Sequence, residues 1–193
     1  AGGRFPFHRP LEGGAEVVRR SQVSKVEQKE GRSGPIAFVT VAHRWSDASG
    51  LLIDEEQDIV YRRADAPPGA TQPAPGDETL SRTMSAGPVL LFRYSALTFN
   101  GHRIHYDRSY ANGVEGYPGL VVHGPLIATL LLDLLRRQRP DAAVRRFEFK
   151  ALRPLFDIHR FSVCGRPAGA GAFDLWARDH EGALAMQARA ELA

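Results

Sequence analysis

Apolar residues recur with a helical period in one part of the chain, residues 126–135. Six aliphatic side chains there fall at i, i+4, i+8 and i+1, i+5, i+9: Leu126, Leu130 and Leu134, with Ile127, Leu131 and Leu135. Two such rows lie side by side on an α-helix, so the pattern predicts an amphipathic helix. Pro125 suits its first turn, arginines crowd its last turn, and Pro140 ends it. The predicted helix covers residues 123–138.

Runs of valine, isoleucine and threonine predict β-strands in the first part of the chain. They occupy residues 17–26 and 36–42, and a third run ends at residues 59–61. Turn sequences at 31–34 and 47–50 separate them. Residues 14–64 are therefore predicted to form an antiparallel meander without a long helix.

Further strands are predicted on both sides of the helix. Residues 89–94 predict one strand before it, and three or four strands should follow it, at residues 143–151, 158–164, 172–177 and 183–192. One long apolar helix followed by antiparallel strands is typical of an α+β layer in which the sheet wraps around the helix.

A sharp change in composition separates the two parts. Residues 65–87 contain Pro67-Pro68-Gly69 and Pro73-Ala74-Pro75-Gly76, which are too rich in proline and glycine for a ladder or a helix. We therefore expect a linker at 65–87 between an N-terminal part at 1–64 and a second unit at 88–193.

Composition excludes several kinds of partner. The 193 residues include 25 Lys and Arg, 22 Asp and Glu, and one cysteine, with a net charge of +3. No basic block with interleaved aromatics occurs, so no nucleic acid is expected as a partner. No membrane contact is expected either, because no stretch approaches the roughly 20 apolar residues of a span. The lone Cys164 excludes an internal disulfide and predicts a reducing, cytoplasmic location.

Two polar stretches before the helix concentrate the side chains suited to chemistry. Residues 100–107 (NGHRIHYD) follow the predicted strand, and residues 116–125 (GYPGLVVHGP) lead into the helix. The N–H of Gly124 at the helix start is open to a ligand oxygen. A thioester enolate there would be stabilised by roughly 3 kcal/mol, as in comparable oxyanion sites. A nearby imidazole, with an ordinary pKa of about 6.5, can move the proton.

These stretches resemble a known family. Residues 93–107 (RYSALTFNGHRIHYD) and 115–126 (EGYPGLVVHGPL) are similar to the MaoC-like hydratase family, also called hydratase 2. The resemblance is strongest for the branch containing mesaconyl-C4-CoA hydratase and mitochondrial 3-hydroxyacyl-thioester dehydratase type 2. Residues 7–11 (FHRPL) and 55–61 (EEQDIVY) resemble the first half of the same proteins, so the likeness covers nearly the whole chain.

The resemblance implies a double hot-dog fold. A degenerate N-terminal hot-dog half at 1–64 would pair with a catalytic MaoC-like hot-dog at 88–193. Family members usually carry a further leading segment, and this sequence starts without Met. We therefore expect residues that precede this sequence to be absent from it.

The resemblance also implies an activity. It predicts a hydro-lyase that reversibly hydrates a 2-enoyl-CoA to a 3-hydroxyacyl-CoA, within fatty acid metabolism. The expected acyl group is short and branched or dicarboxylic, with a fatty acyl chain on CoA or on acyl-carrier protein as the alternative. No cofactor and no metal are expected. A homo-oligomer, such as a dimer, is expected.

The family motif assigns roles to particular residues. It has an aspartate, four residues and then a histidine, and Asn100 and His105 occupy these positions here. A neutral amide cannot take a proton. We therefore assign acid–base catalysis to His105, positioning of the water to Asn100, and the oxyanion N–H to Gly124. The expected substrate-binding residues are Tyr94, His102, Asp107, Tyr117 and His123.

Other interpretations remain open at this stage. His102, His105 and Asp107 are an incomplete ligand set for catalytic zinc. His123 is equally well explained as a residue at the helix start without chemistry. A hot-dog thioesterase needs a carboxylate at the helix start, which the sequence lacks. A non-catalytic acyl-CoA-binding protein is the third alternative, since Asn100 replaces the aspartate.

Overall fold

A computed structural model describes residues 2–31, 34–62 and 70–193. The strands are β1 Gly2–Pro6, β2 Val18–Gly31, β3 Gly34–Asp47, β4 Gly50–Arg62, β5 Leu80–Met84, β6 Val144–Ala151, β7 Phe161–Pro167, β8 Ala172–Arg178 and β9 Leu184–Leu192. The helices are α1 Pro88–Leu97, α2 Arg108–Gly113 and α3 Gly124–Gln138, with a 3₁₀ turn at Arg103–His105.

The strands form one antiparallel sheet. Their order is β2-β3-β4-β1-β6-β9-β8-β7-β5. The predicted meander is confirmed, because β2, β3 and β4 are consecutive neighbours. The unpredicted strand β1 lies between β4 and β6 and joins the two parts into a continuous sheet.

Helix α3 forms the centre of the second part. It begins and ends close to the predicted bounds, and its inner face consists of buried aliphatic side chains: Leu126, Ile127, Ala128, Leu131, Leu134 and Leu135. This face packs against β5, β7, β8 and β9. A sheet wrapped around one long helix is the hot-dog arrangement, so the predicted α+β class is confirmed.

Burial differs between the two parts of the sheet. In β8, five of seven residues are buried: Phe173, Leu175 and Ala177 join the core that contains α3, and Trp176 packs in a second cluster with Cys164 and Leu184. Strand β3 has no fully buried residue along its 14 positions. The β3–β4 turn closes at Gly50, whose φ of 121° lies in the left-handed region that favours glycine.

Two predictions of local structure were wrong. Residues 89–94 lie in helix α1, not in a strand, since a short apolar run does not distinguish the two and Pro88 after Gly87 favours a helix start. The predicted linker at 65–87 contains strand β5, which pairs with β7. Residues 65–69 of the predicted linker, residues 63 and 64 before it, and the turn residues 32 and 33 lie outside the described part of the chain.

Within the ranges described above, no helix is both long enough and apolar enough to cross a membrane. The division into two hot-dog halves at residues 64 and 88 stays a prediction, because the strands of both parts share one sheet.

Candidate active site

His105 is held by the segment that leads into α3. The N–H of Val121 donates to the carbonyl oxygen of Ile104 at 3.0 Å. In return, Nδ1 of His105 lies 2.7 Å from the carbonyl oxygen of Val121. A carbonyl oxygen can only accept, so Nδ1 carries the proton and Nε2 of the neutral ring keeps its lone pair. His105 therefore presents a base at Nε2, which has no hydrogen-bond partner among the described residues.

The ring of His123 stacks on the ring of His105. The two centroids are 3.7 Å apart and the planes differ by 16°. Both residues are buried, with 8% exposure for His105 and 1% for His123. Burial, and then the nearby ring of His105, lower the pKa of His123 to about 4.

The pKa of His105 is also lowered, chiefly by burial and to a smaller extent by the nearby His102. The hydrogen bond to Val121 acts in the opposite direction. Both stacked rings are therefore neutral at pH 7, and His105 is ready to accept a proton.

Helix α1 completes the other side of this stack. Ser95 is buried, and its hydroxyl lies 2.8 Å from Nε2 of His123. The ring of Tyr94 meets His123 edge-on, with centroids 4.9 Å apart. Burial raises the pKa of the Tyr94 hydroxyl, and a hydrogen bond with Thr129 opposes that shift. Nothing in the sequence distinguishes Ser95 as a functional residue, because the residues just before it were predicted as a strand and a serine there carries no distinctive signal.

Asn100 is placed by the end of α1. Phe99 has a φ of 52°, the N–H of Phe99 donates to Ala96, and the N–H of Asn100 donates to Ser95. These two bonds form a Schellman motif, here with phenylalanine at the position usually taken by glycine. The carbonyl oxygen of the Asn100 side chain then accepts the N–H of His102 at 3.0 Å. This bond fixes the orientation of the amide and leaves its NH₂ group as the free donor.

Gly124 and His102 both adjoin the stack. Gly124 is the first residue of α3 and directly follows His123, whose backbone forms the helix N-cap. The exposed ring of His102 meets His105 edge-on at a centroid distance of 5.7 Å. The structure thus brings together Tyr94, Asn100, His102, His105, His123 and Gly124 from the predicted set.

A groove of about 470 Å³ opens beside the start of α3. Gly124 and Pro125 form part of its wall, so the helix N-terminus borders the groove. Its apolar lining comes from both parts of the sheet and includes Phe5, Phe7, Trp45, Ile53, Phe147 and Phe149. The groove is wide enough for a small acyl group next to the N–H of Gly124.

Two of the predicted substrate-binding residues, Asp107 and Tyr117, also make contacts within the protein. The carboxylate of Asp107 caps α2 through the N–H of Tyr110 and pairs with Arg103, and these two contacts lower its pKa. The ring of Tyr117 packs on Phe156 at a centroid distance of 5.8 Å. A contact of either residue with substrate stays a prediction. No cluster of three or more metal-binding side chains occurs in the part of the chain that the structure describes.

The sheet wrapped around α3, with a neutral histidine base beside the helix start, defines a hot-dog-fold enzyme of the hydratase/dehydratase class. The family model "Hydroxyacyl-thioester dehydratase type 2" matches residues 1–157, and the chain belongs to this family. Its members are hydro-lyases, so the predicted family and enzyme class are confirmed.

Known relatives agree with this assignment. The chain is 49% identical, over 195 aligned positions and its whole length, to a protein of Chloroflexus aurantiacus named mesaconyl-C(4)-CoA hydratase, of which it spans 69%. A MaoC-like dehydratase structure from Phytophthora capsici matches with a TM-score of 0.78 and 15% identity, covering 100% of this chain and 70% of that one. A Mycobacterium tuberculosis double hot-dog structure matches with a TM-score of 0.62 and 16% identity, covering 100% and 74%. The two structural matches, at 15% and 16% identity, show the fold alone.

Proposed function

We propose that the protein catalyses the reversible hydration of a 2-enoyl thioester, carried by CoA, to a 3-hydroxyacyl thioester. One observation carries this proposal. The carbonyl oxygen of Val121 fixes the proton on Nδ1 of His105, so that a buried and neutral imidazole offers Nε2 as a base next to the start of α3. The addition of water next to a thioester carbonyl requires at least a base and an oxyanion donor that lie close together.

The thioester carbonyl binds at the helix start. Its oxygen accepts the N–H of Gly124, because the next residue, Pro125, has no N–H to donate. As the reaction proceeds, negative charge develops on this oxygen, and the positive end of the 15-residue helix α3 stabilises it. The expected contribution is about 3 kcal/mol, similar to other oxyanion donors.

Asn100 positions the water and His105 activates it. The NH₂ group of Asn100 donates to the water oxygen, and the water donates one proton towards Nε2 of His105. The remaining hydroxide forms a bond with C3 of the enoyl group while the C2=C3 double bond breaks and its electrons form the enolate. The protonated His105 then returns its proton to C2. The net change adds H and OH, and His105 ends neutral as it began.

The groove has a mostly apolar lining that also contains Glu55 and Asp58. Glu55 accepts the indole N–H of Trp45, and Asp58 pairs with Arg4. A relative of 49% identity is named mesaconyl-C(4)-CoA hydratase. We therefore propose the range that the resemblance implies, a short acyl group that is branched or dicarboxylic, with a fatty acyl chain as the alternative.

A thioesterase remains the second candidate, but the site offers it little support. The first turn of α3 contains no acidic residue that could attack the thioester or activate water. Hydrolysis would then depend on His105 alone.

One assay separates the possibilities. Purified protein is incubated with crotonyl-CoA, a branched 2-enoyl-CoA and mesaconyl-CoA, while the enoyl absorbance and free thiol are followed together. Hydration removes the enoyl absorbance without releasing thiol, and the relative rates with the three substrates identify the preferred acyl group. Release of thiol would instead identify a thioesterase. Binding without either change would identify a non-catalytic acyl-CoA-binding protein. The same assay with a carrier-protein thioester tests which carrier is used.

The remaining expectations are proposals of the same kind. We infer a homo-oligomer that acts in the cytoplasm within fatty acid metabolism, supported by the resemblance and by the lone Cys164. Light scattering on the purified protein tests the oligomeric state.

A further inference from the structure

The mechanism above leaves one buried polar pair without a role, Ser95 and His123. His123 is 1% exposed, and its Nε2 is occupied by the hydroxyl of Ser95 at 2.8 Å. Its Nδ1 is buried and has no hydrogen-bond partner in the described structure. Burying an unsatisfied polar nitrogen costs free energy, roughly 1–3 kcal/mol. Packing alone would be served better by an apolar side chain at this position.

The position of the pair relates it to the proposed base. His123 covers one face of the His105 ring at 3.7 Å, whereas the exposed ring of His102 is nearly perpendicular to His105, with the centroids 5.7 Å apart. The other titratable group against His123 is Tyr94. Because Ser95 belongs to α1 and His123 begins α3, the hydrogen bond between them joins the two helices that flank the site.

We propose that His123, anchored by Ser95, is a positioning residue for His105: its stacked ring fixes the plane of the base and keeps water away from one face. This inference rests on the proposed function. The stack restrains rotation about the bond to the ring, so that Nδ1–H stays on Val121 and Nε2 keeps its aim at the substrate water. A misplacement of about 1 Å can slow a reaction by up to about 100-fold.

The stack also excludes charge. Two imidazolium rings at 3.7 Å would repel each other, so protonation of one ring opposes protonation of the other. The low pKa of His123, caused by burial and by His105, ensures that His105 has an uncharged neighbour across neutral pH. Removing the ring of His123 would let water reach His105 and would raise the pKa of His105 towards its ordinary value.

The test compares two replacements of the same residue. His123→Phe keeps a flat ring over His105, whereas His123→Gln keeps a polar group and removes the ring. For the Gln variant we expect kcat to fall by about 10- to 100-fold with little change in KM, and the acidic limb of the kcat/KM profile to move to higher pH. The Phe variant should keep the wild-type position of that limb.

Ser95→Ala provides a variant that leaves both rings in place. It should lower kcat by a smaller factor, because His123 loses its anchor but still covers His105. The matched control is His180→Gln, which breaks an exposed histidine stack outside the site and should leave kcat and the pH profile unchanged. Thermal unfolding of every variant identifies any loss of folding.

Three results would overturn the inference. One is an increase of KM with unchanged kcat in His123→Gln, which would make His123 a substrate contact. Another is an acidic limb that stays in place in the Gln variant or moves equally in the Phe variant. The last comes from NMR titration of His105 in wild-type and variant proteins: an unchanged His105 titration in His123→Gln would refute the positioning role even if the wild type hydrates no enoyl thioester. A wild type without hydratase activity, by contrast, would refute the proposed function.

Discussion

Two pairs of histidine rings in this protein have nearly the same geometry in different surroundings. His105 and His123 stack with centroids 3.7 Å apart at 16°, and His159 and His180 stack at 3.7 Å and 14°. The first pair is buried between the 3₁₀ turn and the start of α3, whereas both rings of the second pair are exposed. Ring geometry alone therefore does not distinguish a candidate active site from a surface contact.

The surroundings make the difference. In the buried pair, each ring has one nitrogen fixed, on Val121 for His105 and on Ser95 for His123, and burial keeps both rings neutral. Solvent competes for the nitrogens of an exposed ring and screens its charge. The tautomer of His105, fixed by the carbonyl oxygen of Val121, and the low dielectric around it prepare this histidine for proton transfer more than stacking does.

The largest expected effect comes from removing the base of the buried pair. His105→Ala should lower kcat/KM by about 100- to 10,000-fold, because general acid–base catalysis contributes that much. His159→Ala, the corresponding change in the exposed pair, should leave kcat/KM unchanged. Steady-state kinetics with an enoyl-CoA between pH 5 and 9 measures both. Near-full activity of His105→Ala would show that the buried pair is structural too.

A smaller effect is expected from the residue that holds the water for the buried pair. Asn100→Ala should lower kcat by up to about 100-fold, because the water is no longer aimed. Asn100→Asp should keep partial or better activity, since a carboxylate can still accept the N–H of His102 and preserve the turn. Comparing kcat for the two variants tests this. Equal losses in both would show that the amide NH₂ itself is required.

Stability should also respond to pH through the buried pair. The pKa of His123 falls from 6.5 to about 4 on folding, so the unfolded chain binds more protons between these values. Unfolding free energy should therefore decrease as the pH falls from about 6.5 to 4, by about 1–3 kcal/mol for this group. Urea unfolding of wild type and His123→Phe measures it. The Phe variant should show a weaker dependence, and an identical slope would contradict the burial argument.

The smallest effect is expected from the exposed pair. His180→Gln should change the unfolding free energy by less than about 0.5 kcal/mol at any pH in that range, as for most surface substitutions. Urea unfolding of this variant alongside His123→Phe completes the comparison. A pH-dependent loss as large as that of the buried pair would remove the distinction between the two stacks.

Much of the fold was predictable from local pattern. The rows of leucine and isoleucine at 126–135 predicted α3 because a helix alone brings positions i and i+4 to one face. Runs of valine, isoleucine and threonine predicted β2 to β4, and strands were also predicted at the positions of β6 to β9, with bounds that differ by a few residues. The stretches at 93–107 and 115–126 identified the family and the segments of the candidate site. All these signals lie within short windows of sequence.

Other features depended on the tertiary structure. Helix α1 escaped prediction because a short stretch with five apolar residues among six, residues 89–94, fits a buried strand as well as a helix. Strand β5 forms because it pairs with β7, about 80 residues away in sequence. Strand β1 forms because it pairs with β4 on one side and β6 on the other. The proline and glycine residues around β5 made this segment look like part of a linker when only the neighbouring sequence was considered.

The candidate site shows the same division. The sequence by itself identified Asn100, His105 and Gly124 as candidates, because they lie in short stretches that resemble a family motif and the spacing within such a stretch is local. The tertiary structure alone decided that Ser95 would anchor His123, that His123 would cover His105, and that Val121 would choose its tautomer. It also assigned Asp107 to a helix cap and Tyr117 to Phe156. Contacts between distant segments depend on how the elements pack, and the packing leaves no periodic trace in the sequence.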